Sequence, residues 1–268
     1  MYVWIYRLLS AAAAAGALRK GYAVWAALLI GLGVFTGVNL LYALFWIAVA
    51  QTVDDTKPIQ EQKKIYRLGV ADIATWLCSY AHVHTQVSGE ELLPKEGRFV
   101  LVCNHRAAFD PVVTASVLRD YNLAFITKPS NLKIPLIAKL AYGDGFVPIN
   151  RENDREALKS ILQAVNYLKQ DLCSIAVYPE GTRTKTGRLL PFHAGTFKIA
   201  QKAKVPVAVA AIQGTEKVRE NFPFRRTDVK LDILELIPVE EVTAANTQEL
   251  SARCRNRIAA HLGEEVEA

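Results

Sequence analysis

Charge is what the first fifth of the chain lacks. Residues 1–50 hold only Arg7, Arg19 and Lys20 as charged groups, and none occurs from Gly21 to Val53. Half of the net charge of +6 therefore lies in this segment, and the rest is mildly basic without a dense Lys/Arg stripe. That balance argues against a nucleic-acid-binding domain. It is compatible with an anionic membrane surface or a phosphorylated substrate. Cysteine is also sparse. Cys78, Cys103, Cys173 and Cys254 are far apart and form no CxxC pair, so reduced thiols are expected rather than a disulfide framework. His82 and His84 have the alternation of two ligands on one strand face, but no third and fourth ligand accompany them, so no metal site is expected. No repeat or low-complexity domain is visible beyond the alanines of 11–15. The 268 residues can hold one large domain plus an accessory segment.

The uncharged run reads as a transmembrane helix near residues 23–48. Trp25 and Trp46 bracket its centre, and the roughly 32 Å between them at helical rise matches a bilayer's hydrocarbon core. Tyr22 and Tyr42 add to the aromatic ends. The run is too long for a signal-peptide core and lacks a cleavage site, so it is expected to be retained. Residues 1–18 either lie in the interface or pack antiparallel on the long helix, where Gly33 and Gly37 have small-xxx-small spacing. Three basic residues on one side of the span against Lys57, Lys63, Lys64 and Arg67 on the other leave orientation open.

Asp54 to Gln62 is a polar linker containing Pro58. A helix follows from about Lys63 to Ala81, with Ile65, Ile73, Trp76 and Tyr80 on one face; it either faces a core or hugs a membrane. Strands are expected at Val83–Val87, Phe99–Cys103, Leu123–Thr127, Gly145–Asn150, Cys173–Val177, Val205–Ile212 and Lys230–Ile237. Helices are expected at Pro111–Arg119, Pro135–Leu140, Glu152–Gln170 (Leu158, Ile161, Leu162, Val165 and Leu168 on one face) and Phe192–Lys202. A last helix begins at an Asn246/Glu249 capping box, with Leu250, Cys254, Ile258 and Leu262 in one stripe. Strands alternating with helices make the fold α/β.

The chemistry gathers where strands end. The apolar run Phe99–Cys103 leads straight into Asn104-His105, and Asp110-Pro111 starts the next helix, the carboxylate read as its N-cap. On a continuous helix, residues five apart point roughly 140° away from each other. A strand-to-helix turn can instead fold Asp110 onto His105, fix its tautomer and leave the other ring nitrogen free to take a proton. Two more loops beside apolar runs carry arginines, Gly145-Phe-Val-Pro-Ile-Asn-Arg151 and Tyr178-Pro-Glu-Gly-Thr-Arg-Thr184. Three such loops suggest one face of an open α/β sheet, where ligands bind. Arg151 and Arg183 offer planar forks suited to a phosphate, with Lys128 as a third charge; the alternative is pairing with Glu152, Asp154 or Asp171. Cys103 could be imagined as a nucleophile, but a cysteine in an apolar run is more often a small core residue.

At these loops the sequence resembles the glycerolipid acyltransferases, in particular the 1-acyl-sn-glycerol-3-phosphate (lysophosphatidate) acyltransferases. Asn104 to Asp110 is similar to that family's NHxxxxD motif, and Gly145 to Arg151 to its second block. Tyr178 to Thr184 is similar to its FPEGTRS block, with Tyr for Phe and Thr for Ser. Val205 to Val209 resembles the fourth block, with Val209 where a second proline is usual, and His193 stands where lysine is frequent. The likeness spans roughly Val87 to Ile212 and leaves out residues 1–50.

The resemblance implies a glycerolipid-acyltransferase-like mixed sheet flanked by helices. Residues 1–55 would be a membrane anchor and 56–268 the catalytic domain, on the cytoplasmic face. It implies transfer of an acyl group from acyl-CoA or acyl carrier protein to the hydroxyl of lysophosphatidic acid, with no cofactor. His105 and Asp110 would be catalytic. Asn104, Lys128, Gly145, Arg151, Glu180, Gly181, Thr182 and Arg183 would bind substrate, with Glu180 and Gly181 holding the glycerol part or shaping the site. The alternatives are another lysophospholipid or an ornithine-type lipid as acceptor, or a noncatalytic lipid-binding protein on the same scaffold.

Overall fold

The computed structural model describes residues 2–133, 137–150, 153–184 and 186–264. By its internal contacts the chain divides into two units, Met1–Thr52 and Val53–Ala268.

The first unit is a pair of helices, α1 (Tyr2–Arg19) and α2 (Val24–Gln51). Apolar residues surround α2 on every side, as on a helix that meets lipid rather than water. Among the described residues it is the one helix long and apolar enough to cross a bilayer, with a mean hydropathy of 2.0 over its best window. α1 runs antiparallel along it: the rings of Tyr6 and Tyr42 lie 5.9 Å apart, and Gly31 faces Ser10 and Ala14. A Cβ on Gly31 would come within 3.1 Å of both the Ala14 Cβ and the Ser10 carbonyl oxygen. The small-residue contact is thus at Gly31, whereas Gly33 and Gly37 face open space.

The second unit is built on seven strands: β1 (Val83–Ser88), β2 (Val100–Cys103), β3 (Leu123–Thr127), β4 (Val147–Pro148), β5 (Ser174–Val177), β6 (Val207–Gln213) and β7 (Thr227–Ile237). They form one sheet in the order β1-β7-β6-β2-β5-β3-β4. β6, β2, β5, β3 and β4 are mutually parallel; β7 is antiparallel to β6, and β1 is parallel to β7. The five parallel strands therefore end along one edge of the sheet, and the loops that follow them share that edge. The helices are α3 (Lys64–Tyr80), α4 (Asp110–Val117), α5 (Ile137–Asp144), α6 (Asp154–Lys169), α7 (Lys198–Ala203), α8 (Val218–Asn221), α9 (Val239–Ala244) and α10 (Thr247–Leu262). The alternation of elements predicts the α/β class, and the mixed sheet flanked by helices is the one that the resemblance implies.

Alternate residues of each central strand feed opposite faces. Val100, Val102, Ile175, Val177, Val207 and Val209 pack on one side with residues of α6, α7 and α10. Leu101, Cys103, Ala208, Ala210 and Ile212 pack on the other with residues of α3 and α4. Both faces are covered, which is why these strands read as unbroken apolar runs. The start of α10 is fixed by the full capping box: the Asn246 side chain accepts from Glu249 N, and Glu249 accepts from Asn246 N.

Three local expectations differ. The buried face of α3 uses Tyr66, Gly69, Ala71, Ile73, Ala74 and Cys78, with Ile65 exposed, because small residues there admit close packing on α4 and α5. On α6 the packed arc is Ala164, Val165, Tyr167 and Leu168; Leu158 and Leu162 lie on its shoulder and are exposed. The strand expected over Gly145–Asn150 is only Val147–Pro148, since pairing with β3 is confined to Ile126 and Thr127.

Candidate active site

β2 delivers Asn104 and His105 at the edge where the parallel strands end. Asn104 is buried, and its amide closes a two-way bridge to β6: Nδ2 donates to the Ile212 carbonyl at 2.9 Å and Oδ1 accepts Ile212 N at 2.8 Å. His105 follows. Its Nδ1 lies 2.7 Å from Asp110 Oδ2, and its ring stacks on Tyr178 with centroids 4.5 Å apart.

Asp110 is the first residue of α4, but it does not cap its own helix; Phe109 holds the N-cap position without a side-chain bond. Its carboxylate turns back on the preceding loop. Oδ2 accepts from Arg106 N at 2.6 Å and Ala107 N at 2.8 Å, and Oδ1 accepts from the Thr215 hydroxyl. The N-cap reading is thereby corrected, because the orphan N–H groups within reach are those of the loop. Asp110 is fully buried, and every one of its contacts with these groups donates to it. A carboxylate so placed holds His105 with Nδ1–H pointing at it and leaves Nε2 able to accept a proton. The His105 side chain retains 18% exposure, so the ring is not sealed from solvent.

A second buried carboxylate, Glu180, braces the same turn from β5. Oε1 accepts His105 N at 2.5 Å and Oε2 accepts Leu190 N at 2.9 Å. Burial pushes its pKa above the usual carboxylate range, and the two backbone donors pull it partly back. Gly181 continues the turn at φ +73°, Thr182 and Arg183 are exposed, and Thr184 N donates to the His105 carbonyl at 3.1 Å. Arg183, Thr182, Arg106, Phe109 and Thr215 open onto a groove of about 790 Å³, whose apolar wall includes Trp76, Tyr80, Val218 and Phe222.

Asn104, His105, Asp110, Glu180, Gly181, Thr182 and Arg183 thus come together. Lys128 is exposed at the end of β3, next to β5 on the same edge. Gly145 does not join them. It precedes β4, so it lies at the opposite edge of the sheet, with φ +101° and a position where a Cβ would come 3.0 Å from the Cys173 sulfur. Its place in the motif is that of a turn glycine in the core. Gly145→Ala should accordingly lower stability by about 1–3 kcal/mol, the usual cost of a strained left-handed residue. Denaturant unfolding of the variant beside wild type checks this. Arg151 lies outside the described residues.

Cys103 is buried, and its thiol is pushed well above its ordinary range by burial, then by the carboxylates of Asp110 and Glu180. A thiol held protonated in this way is a core residue rather than a nucleophile. No group of residues suited to hold a metal is present among the described residues.

Two contributors escape a reading of the sequence. Thr215 comes from the loop after β6, and nothing local marks that threonine out. Glu264, one residue past the left-handed Gly263 that ends α10, accepts from Arg106 Nη2 at 2.8 Å and from Leu189 N at 2.6 Å. It ties the loop after β2 to the loop after β5.

A family model described as Acyltransferase matches residues 84–213. Relatives include the 1-acyl-sn-glycerol-3-phosphate acyltransferase of Salmonella typhimurium, 33% identical over 163 residues, which are 59% of this chain and 64% of that protein. The enzyme of the same name from Escherichia coli K12 is 30% identical over 60% of this chain and 65% of its own length. The chain therefore spans just under two thirds of these relatives. Among solved structures, the 1-acyl-sn-glycerophosphate (LPA) acyltransferase of Thermotoga maritima has the same fold. It superimposes with a TM-score of 0.60 at 23% identity, over 85% of this chain and 91% of that one.

Proposed function

We propose that the protein, whose residues 84–213 match the acyltransferase family model, transfers a fatty acyl group from an acyl thioester to the free hydroxyl of 1-acyl-sn-glycerol-3-phosphate, giving phosphatidic acid. The observation that carries this reading is the orientation of His105 by a buried carboxylate whose remaining contacts are all donors. A thioester is already activated, so the protein need supply only a base, a means of holding the acceptor and donors for the developing oxyanion. His105 Nε2 takes the hydroxyl proton as the oxygen attacks the thioester carbonyl carbon. Asp110 stabilises the imidazolium that forms. The tetrahedral intermediate collapses with cleavage of the C–S bond, and the imidazolium returns its proton to the departing thiolate. Arg183, with Lys128 at the end of the neighbouring strand β3, supplies positive charge for the acceptor's phosphate.

The same reading makes residues 1–55 a membrane anchor, with α2 crossing the bilayer, and places residues 56–268 on the cytoplasmic face, where acyl-CoA and acyl carrier protein are made. The four buried, unpaired cysteines fit a reducing compartment. The test is a matrix of labelled donors and lysolipid acceptors on membranes containing the full chain, beside a chain lacking residues 1–55. Phosphatidic acid should be the main product, and the truncated chain should leave the membrane or aggregate. Transfer to another lysolipid in preference would reassign the acceptor. No transfer from any donor by folded protein would make the scaffold noncatalytic.

A further inference from the structure

Among the described residues, the most exposed large apolar side chain of the second unit is Phe224, 92% accessible, in the turn between α8 and β7; Phe222, two residues earlier, is 56% accessible. The turn is well braced rather than loose. Phe222 N donates to the Val218 carbonyl, and Phe224 N and Arg225 N donate to that of Asn221. The Asn221 amide donates in turn to Thr227 Oγ1 at 3.0 Å. Folding therefore holds two aromatic rings in water, which costs free energy unless something covers them. The same ten residues, 217–226, carry Lys217, Arg219, Arg225 and Arg226, all exposed, and Glu220 as their single acid. Arg226 is engaged by Asp228 at 2.6 Å, which leaves a cationic surround to the rings.

We infer that the 217–226 turn is a membrane-docking element, its two phenylalanines entering the interface of a phospholipid surface and its basic residues meeting anionic headgroups. Aromatic rings flanked by Arg and Lys are the chemistry of the lipid interface, where the ring is half-buried and the cation stays with the phosphates. A second copy of the chain is disfavoured as the occupant, because the two basic turns would face each other. The position of the turn agrees. It lies on the edge where the parallel strands end, and Phe222 lines the groove that also holds Arg183. A turn seated in lipid would set the mouth of that groove at the surface from which a lysolipid enters. That last step rests on the acyl-transfer reading given above; the docking itself does not require turnover.

All four native cysteines are buried, so a thiol introduced on the surface can be labelled alone. The experiment places a fluorophore on full-length protein carrying Phe224→Cys or, at the other edge of the sheet, Lys169→Cys. Each is reconstituted into phosphatidylcholine vesicles with or without phosphatidylglycerol, and with or without a lipid-borne nitroxide quencher. The label at 224 should be quenched several-fold more than that at 169, more strongly with phosphatidylglycerol, and less at high salt. Equal quenching at the two positions, or quenching indifferent to anionic lipid, overturns the inference. Self-quenching between labelled copies without a nitroxide effect overturns it in favour of a second copy. Phe224→Ser combined with Arg225→Ser should raise KM several-fold for a long-chain acceptor in vesicles and leave that for a short-chain acceptor in solution unchanged. A quenched label on a protein without acyl transfer would sink the proposed reaction alone; an unquenched label on an active protein would sink the docking alone.

Discussion

His105→Ala should reduce acyl transfer by about 10²- to 10⁴-fold, the range that a positioned general base supplies. The ring stacks on Tyr178 and bonds to Asp110, and His105 belongs to neither apolar core cluster, so its removal should leave fold and membrane association intact. Asp110→Asn tests the orienting half of the pair. The substitution keeps the volume, but its amide nitrogen must then face either the N–H groups of Arg106 and Ala107 or the Thr215 hydroxyl. It should cost orders of magnitude in kcat because the charge that orients His105 and stabilises its imidazolium is lost, while the fold should persist, since the Thr215 hydroxyl can turn to accept from the amide. Initial rates on membranes, with circular dichroism of the purified variants, make the comparison. More than about a tenth of wild-type rate in folded His105→Ala would remove this residue from the chemistry, since general-base catalysis is worth more than that.

Arg183→Ala should weaken acceptor use by roughly 10- to 150-fold, corresponding to a charge-assisted hydrogen bond of about 1.5–3 kcal/mol. Arg183→Lys should also impair the proposed transfer although the charge is kept, because an ammonium cannot match two phosphate oxygens as a guanidinium fork does. The loss belongs in acceptor KM if the contact is the same in ground and transition states, and in kcat if it aligns the hydroxyl with His105. Donor KM should hold. Arg183 is exposed on the groove wall and is the chain neighbour of Thr184, whose N–H is bonded to the His105 carbonyl. A selective loss of donor affinity would shift Arg183 to the thioester side of the groove and end the phosphate assignment.

The α/β fold was legible because the parallel core strands are buried on both faces and so read as apolar runs punctuated by loops. The gathering of His105, Asp110, Glu180 and Arg183 was legible for a related reason: loops that follow parallel strands share an edge. What failed was direction within short segments. Asp110 in front of a proline has the signature of a cap, and only the surrounding donors show that it turns the other way. Gly145 belongs to a motif block, yet it comes before its strand rather than after it, which puts it at the far edge. Thr215 and Glu264 reach the histidine turn from positions 105 and 154 residues beyond Asp110, and no local pattern encodes contacts so distant. Leu158 and Leu162 show the limit of periodicity, which finds an apolar stripe but not how wide an arc a neighbour will cover.

Asn104 has a consequence for how the site keeps its dimensions. Its amide offers one donor and one acceptor to Ile212, as a peptide group would, so a side chain acts here as one more rung between β2 and β6. His105 is one residue beyond that rung on the first strand, and Thr215 three beyond it on the second. The two groups that grip opposite oxygens of Asp110 are therefore measured from a common mark. An aspartate at 104 would lose the donor and a serine would lose the reach. A one-residue insertion on either strand past the mark would change one arm's length and not the other's. The asparagine works as a gauge block: it bonds to neither His105 nor Asp110, yet it sets the spacing between the two arms that hold that carboxylate.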